Sequence, residues 1–117
     1  MPRDNYRHDG AAGSAWVAAV GQRLRWLREV VADNQSQAAR LIGVDQSTFS
    51  GYEAGDRLLS IQAAMRACAM WGVTLDYLYR GLLDSRVRHD VAIRLAAAHP
   101  ELVEAPEPPP WVPRADG

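Results

Sequence analysis

Three side chains in the middle of the chain can both donate and accept hydrogen bonds, which is the chemistry of recognition rather than of bond breaking. Gln46, Ser47 and Ser50 have helical spacing, and Gly51 follows them directly, so a helix presents them together. Glutamine can make two hydrogen bonds to adenine in the major groove of DNA, and serine suits donor or acceptor edges. This surface is typical of a helix that enters a DNA groove, although an ordinary solvated helix surface can have the same composition.

Residues for other kinds of chemistry are scattered. His8, His89 and His99 lack the short helical spacing of metal ligands, and Cys68 is the single cysteine, placed in an apolar pattern. The chain contains neither a glycine-rich phosphate loop nor a serine, histidine and aspartate in a plausible catalytic frame. We therefore expect no catalytic residues, no metal, no cofactor and no enzymatic activity.

Length and composition predict one small globular domain with tails. The chain has 117 residues, of which 48% are hydrophobic and 23% are charged. Its apolar runs are much shorter than the roughly 20 residues of a membrane span, and the first residues do not resemble a signal peptide. We expect a cytoplasmic protein without a membrane partner.

The charge balance is unusual for a protein that binds nucleic acid. The formal net charge is −1, whereas phosphate contacts usually leave a basic footprint. All 13 basic residues are arginine, which suits paired contacts to phosphate and guanine, although a GC-rich genome also favours arginine over lysine. Binding requires only one basic surface, so the net charge does not exclude it.

Apolar periodicity predicts an all-α fold: five short helices in a compact bundle, then a sixth helix and a proline-rich tail. The first helix is expected from Ala15 to Val31 with Ser14 as its cap, and the sixth from about Ser85 to Ala98. The predicted organisation is a flexible arm over 1–14, the bundle over 15–81, the sixth helix over 82–99 and a disordered tail over 100–117.

Residues 34–55 predict two short helices that meet across a tight turn. Ala39 is small enough for the helices to approach closely, and Gly43 tolerates the positive φ that such a turn requires. Val44, Phe49 and Tyr52 would anchor the second helix from below. The remaining surface of that helix, with Gln46 and its neighbours, would point outward.

This segment and the one after it resemble the Cro and phage-repressor class of helix-turn-helix domains, the XRE family. The resemblance covers about residues 20–81 and rests on a specific combination of positions: Gln35, Ala39, Gly43, Val44, Ser47, Thr48, Tyr52, Glu53, Gly55, Arg57, Ser60, Gly72, Val73 and the run Leu75, Asp76, Tyr77, Leu78. It implies a compact five-helix repressor-like bundle with a helix-turn-helix, and a chain that binds double-stranded DNA.

The resemblance also implies individual roles. Gln35 would contact phosphate at the start of the second helix, and Arg57 would contact the DNA backbone from the loop after the third. The base-facing positions would be Gln46, Ser47, Ser50 and Gly51, of which Gly51 departs from the family because a larger polar residue is common there. Arg28 and Glu53 match a partly buried structural ion pair.

A single DNA-binding domain of this size covers about one half-site, so we expect a homodimer on a two-fold operator. The apolar stripe of the sixth helix, Val87, Val91 and Leu95, is the candidate dimer contact, although it could equally pack on its own chain. The expected function is a transcriptional regulator that acts as a repressor. The alternative is an antitoxin-type module whose sixth helix and tail hold a small partner protein.

Overall fold

The computed structural model describes residues 10–103, and the predicted arm before Gly10 and the tail after Val103 lie outside this range. Over the described residues the fold is all-α, as predicted. One 3₁₀ helix, Pro100–Val103, follows six α-helices: α1 Gly10–Val31, α2 Gln35–Leu41, α3 Gln46–Ala54, α4 Ile61–Trp71, α5 Leu75–Arg80 and α6 His89–Ala98.

Local capping determines where the middle helices begin. A side-chain oxygen before each of them accepts a backbone N–H of the first turn, which would otherwise have no partner within the helix. These caps are Asn34 for α2, Asp45 for α3, Ser60 for α4 and Thr74 for α5. Helices α3, α4 and α5 then each end at a glycine in the left-handed conformation.

Helix α1 forms the central column of the core. Val20, Leu24 and Leu27 are at most 1% exposed and lie within one buried cluster to which all six helices contribute. Tyr77 of α5 is buried, and its hydroxyl donates a 2.8 Å hydrogen bond to the carbonyl oxygen of Arg23. Burial raises the pKa of Tyr77 far above its ordinary value, so it remains a neutral donor that ties α5 to α1.

Helix α1 begins earlier than predicted. It starts at Gly10 rather than Ala15, so Ser14 lies inside the helix and is not its cap. Alanine has the highest intrinsic helix propensity, and Ala11 and Ala12 support an extension that the prediction had assigned to the arm. The boundary at residue 14 was therefore wrong.

The predicted dimer stripe is part of the core of its own chain. Val87, Val91 and Leu95 are 3%, 1% and 0% exposed, and α6 packs against α1. The side chains are therefore not available to a second copy, and the candidate dimer contact was wrong. The alternative that the sequence left open, packing on the same chain, is what the structure has.

A turn delays the start of α6 from Ser85 to His89. The carboxylate of Asp84 accepts the backbone N–H of Arg86 at 3.0 Å, and the Asp84 carbonyl accepts the N–H of Val87 at 3.1 Å. Aspartate favours such local bonds, which compete with a helix. The N–H of Arg88 then donates to the carbonyl of Gly72 at 2.7 Å, and this bond fastens α6 to the end of α4.

The ordered fold also extends beyond the predicted boundary at residue 100. His99 stacks on Trp26 of α1 with ring centroids 4.0 Å apart. Leu102, in the 3₁₀ helix, is only 6% exposed and belongs to the core. Among the described helices, none is long and apolar enough to cross a membrane.

Candidate nucleic-acid interface

The turn between α2 and α3 has the geometry that its residues predict. Gly43 adopts φ 74°, in the left-handed region that favours glycine. The N–H of Val44 donates to the carbonyl of Ala39 at 3.0 Å, and Ala39 is 2% exposed. From α4, Arg66 Nη1 donates to the carbonyl of Ile42 at 3.3 Å. The turn is thus held from within and from the neighbouring helix.

Helix α3 is anchored on one side and at its start. Phe49 and Tyr52 are 0% and 5% exposed and point into the core. Asp45 Oδ1 accepts the N–H of Thr48 at 2.7 Å. This hydrogen bond is the main reason that the pKa of Asp45 lies below its ordinary value, so the capping carboxylate stays ionised at neutral pH.

The four base-facing candidates lie on the opposite, outer side of α3. Gln46 and Ser47 are exposed, whereas Ser50 and Gly51 are half-buried. The Ser47 hydroxyl donates to Asp45 Oδ1 at 3.0 Å, so its oxygen still has lone pairs directed to solvent. The surface is neutral and polar, and its backbone is held by the buried side of the same helix.

Arg28, Glu53 and Gln35 form one hydrogen-bonded group between α1, α3 and α2. Arg28 Nε and Nη2 donate to the two carboxylate oxygens of Glu53 at 2.7 and 3.1 Å, and the side chains are 15% and 5% exposed. This paired hydrogen bonding raises the pKa of Arg28. The ion pair that the resemblance implied is present, and it ties α1 to the end of α3.

Gln35 has a second role that the sequence reasoning missed. Its Nε2 donates to Glu53 Oε1 at 2.8 Å, so the side chain is a structural link between α2 and α3. The amide oxygen and the backbone N–H at the start of α2 are the groups left to meet a phosphate. The predicted phosphate contact of Gln35 stays a prediction.

A shallow depression beside this group contains a basic residue that was not singled out. Arg25 of α1 lines it together with Arg28, Gln35, Ser50, Glu53 and Ala54. Arg25 and Glu29 are about half exposed, with a 3.6 Å ion pair between them that solvent screens. The sequence could have indicated this residue, because Arg25 precedes Arg28 by three positions and so lies on the same side of α1.

Arg57 is exposed and follows α3 after Gly55 and Asp56. Its side chain runs back over α3: a Cβ atom on Gly51 would lie 3.6 Å from both Cγ and Nε of Arg57. The loop residue and the third helix thus form one surface, a contact across the loop that no helical spacing reveals.

Groups that could support metal or thiol chemistry are sparse in the described part of the chain. Residues 10–103 contain no cluster of three or more histidine, cysteine or acidic side chains suited to a metal ion. Cys68 is half-buried, and its burial raises the pKa of the thiol. The sulfur is therefore a weak nucleophile at neutral pH.

Comparison with known proteins rests on a single finding. No curated protein and no solved structure matches the chain significantly. Residues 19–78 match a family described as a helix-turn-helix domain, in agreement with the resemblance that the sequence showed. Such domains are typically DNA-binding domains without enzymatic activity of their own. The matched residues span half of the 117-residue chain and include α2, the turn and α3, so the protein belongs to this helix-turn-helix family.

Proposed function

We propose that this protein is a sequence-specific transcriptional regulator that inserts α3 into the major groove of double-stranded DNA. The observation that carries the proposal is the asymmetry of α3. Its inner side is anchored by Phe49 and Tyr52, while Gln46 and Ser47 are exposed on the other side. A helix fits the major groove, where such side chains can bond base edges.

Phosphate contacts would orient the domain on the duplex. The start of α2, at Gln35, presents backbone N–H groups and the positive end of a short helix dipole. Exposed Arg25 lines the same depression as Gln35 and can approach a backbone phosphate. These contacts would fix position without reading sequence.

We further propose that two copies bind a two-fold operator and repress by occluding a promoter. One α3 helix covers only a few base pairs, and two copies about one helical turn apart, roughly 34 Å, would double the specific contacts. The apolar stripe of α6 does not supply the contact between copies, because it is buried in its own chain. For the same reason, the stripe is not a docking surface for a partner protein, as the antitoxin-type alternative would require.

The proposal can be tested by selecting DNA from a random pool with the full chain and measuring binding by gel shift. We expect one enriched motif with two-fold symmetry and an affinity that falls as salt concentration rises. The double variant Gln46→Ala/Ser47→Ala should lose about 10-fold or more in affinity for that motif, because two base contacts disappear.

A matched control is Gln22→Ala/Ser85→Ala, which removes the same side-chain types from exposed positions outside α3. It should bind like the unaltered protein. Equal loss in both double variants would contradict base reading by α3, and a pool without enrichment would contradict sequence-specific binding.

A further inference from the structure

The outer surface of α3 has a gap at Gly51, and another residue fills it. Position 51 has no side chain, and Cγ, Nε and Cδ of Arg57 lie 3.6, 3.6 and 3.8 Å from where its Cβ would be. The arginine stem therefore lies flat on the helix at one of the base-facing positions. A larger polar residue at position 51 would compete with Arg57 for this space.

The loop that carries Arg57 is held on both sides. The N–H of Asp56 donates to the carbonyl of Gly51 at 2.9 Å, and the N–H of Gly55 donates to that of Tyr52 at 3.2 Å. After Arg57, Leu59 is 2% exposed, and its carbonyl accepts the Tyr79 hydroxyl at 2.7 Å. The backbone of Arg57 is thus positioned by the core and by α3 itself.

The guanidinium of Arg57 lies within electrostatic range of Asp45, the cap of α3. The pKa of Asp45 is lowered chiefly by the Thr48 N–H, and the positive charge of Arg57 adds a smaller electrostatic contribution. The charge of Arg57 therefore acts on the residue that caps α3, while its stem lies on Gly51. Among residues 10–103, no hydrogen bond or ion pair engages the guanidinium, so its paired donors can reach a ligand.

We propose that Arg57 reads a base pair in place of the missing side chain at position 51, with its two parallel donors on O6 and N7 of a guanine. The inference rests on the proposed function, because it requires α3 to lie in the major groove. Guanine is the base whose major-groove edge offers two acceptors to an arginine fork. The competing role is the phosphate contact that the family resemblance implies for Arg57.

These roles differ in a measurable way. Loss of a base contact changes the preference at one position of the DNA sequence. Loss of a phosphate contact weakens binding to all sequences alike and lowers the slope of log affinity against log salt concentration by about one. The experiment takes the motif selected by the full-length protein and measures binding to every single-base-pair variant of it. The proteins compared are the unaltered chain, Arg57→Ala, Arg57→Lys and, as a matched control, Arg94→Ala, which removes an exposed arginine from α6.

We expect the unaltered chain to lose about 10-fold in affinity when one G·C pair in each half of the motif is replaced. Arg57→Ala should reduce that preference to less than about 2-fold, and Arg57→Lys should weaken it, because lysine keeps the charge but not the planar fork. Arg94→Ala should keep the preference and the affinity, since exposed Arg94 lies on α6 and outside the proposed DNA-binding surface.

Uniform weakening of Arg57→Ala across all sequences, with full binding restored in Arg57→Lys, would overturn the inference and leave the proposed function standing. A selection that enriches no motif with the unaltered protein would overturn the proposed function, and the inference with it. Circular dichroism should show the same helical content in all four proteins, since Arg57 and Arg94 are both exposed.

Discussion

Helices α3 and α6 are similar in length and pattern but differ in their surroundings. Each buries two large side chains, Phe49 and Tyr52 in α3 and Val91 and Leu95 in α6. The outer side of α3 is neutral and small, whereas α6 exposes His89, Asp90 and Arg94 together with Ile93. An apolar stripe therefore shows which side of a helix packs against other residues. The composition of the exposed side indicates which kind of partner the helix can bind.

The two helices also differ in how they are held. Helix α3 is fixed by a capping carboxylate, by a glycine turn and by the buried Glu53 group. Helix α6 has no side-chain cap, and it is fixed by apolar packing on α1 and by the Arg88 N–H bond to Gly72. We therefore expect polar substitutions to affect the α3 region most and apolar truncations to affect α6.

The largest effect is expected from Glu53→Ala. It leaves Arg28 and Gln35 without their shared acceptor in a largely buried site. Removal of one partner of such a pair costs about 3 to 5 kcal/mol of unfolding free energy. Urea unfolding followed by circular dichroism measures the loss, and DNA binding should disappear because the motif unfolds.

The matched control is Glu29→Ala, which breaks the exposed pair with Arg25. It should change the unfolding free energy by less than about 1 kcal/mol. A Glu53→Ala protein that unfolds like the unaltered chain would show that the ion pair is not what holds α3 to α1.

Leu95→Ala tests the assignment of α6 to the core. Leu95 is 0% exposed, so its truncation leaves a cavity between α6 and α1, and we expect a loss of about 3 kcal/mol. The oligomeric state measured by analytical ultracentrifugation should not change under native conditions. Unchanged thermal stability combined with dissociation of a dimer would instead mean that the stripe is an interface.

Substitution by alanine at two glycines of the helix-turn-helix should change the free energy of unfolding in opposite directions. Gly43→Ala forces a Cβ into the left-handed region and should cost about 1 to 2 kcal/mol. Gly51→Ala lies inside α3 with ordinary space around its Cβ and should stabilise by about 0.5 to 1 kcal/mol. Thermal unfolding compares them, and effects of the same sign would contradict the turn geometry.

The smallest effect concerns pH and the cap of α3. Since the folded-state pKa of Asp45 is lowered from its ordinary 3.8, ionised Asp45 stabilises the fold above that value. This stabilisation is lost as pH falls below 3.8 through the folded-state pKa. Asp45→Asn keeps a cap but does not titrate there, so its stability difference from the unaltered chain should be constant above about pH 5 and change below it. A constant difference down to acid unfolding would contradict this role.

Local signals account for what could be predicted from the sequence. Asp45 and Gly55 mark the ends of α3 through hydrogen bonds and φ values that involve only neighbouring residues, and the structure places the helix between them. The all-α class and the helix-turn-helix follow from the same kind of signal. By contrast, nothing local determines whether Leu95 packs on its own α1 or on another chain. The assignment of the α6 stripe as a dimer contact failed for this reason.

The parts of the site that could not be predicted depend on contacts across the fold. Arg57 lies on Gly51 because two loop hydrogen bonds reverse the chain, and Gln35 bonds Glu53 because α2 and α3 meet at the turn. Each contact depends on three-dimensional packing rather than on residue spacing. Arg25 is the exception, since its position one turn before Arg28 was visible in the sequence.

Whether α3 is the helix that meets DNA is tested most directly by a map of amide chemical shifts in the ¹⁵N-labelled full chain as the selected DNA duplex is added. We expect the largest changes on Gln46–Ala54 and Arg57, with a smaller group near Gln35. Helix α6, His89–Ala98, should change little. Large changes confined to α6, with α3 unaffected, would contradict the claim that α3 is the helix that meets DNA.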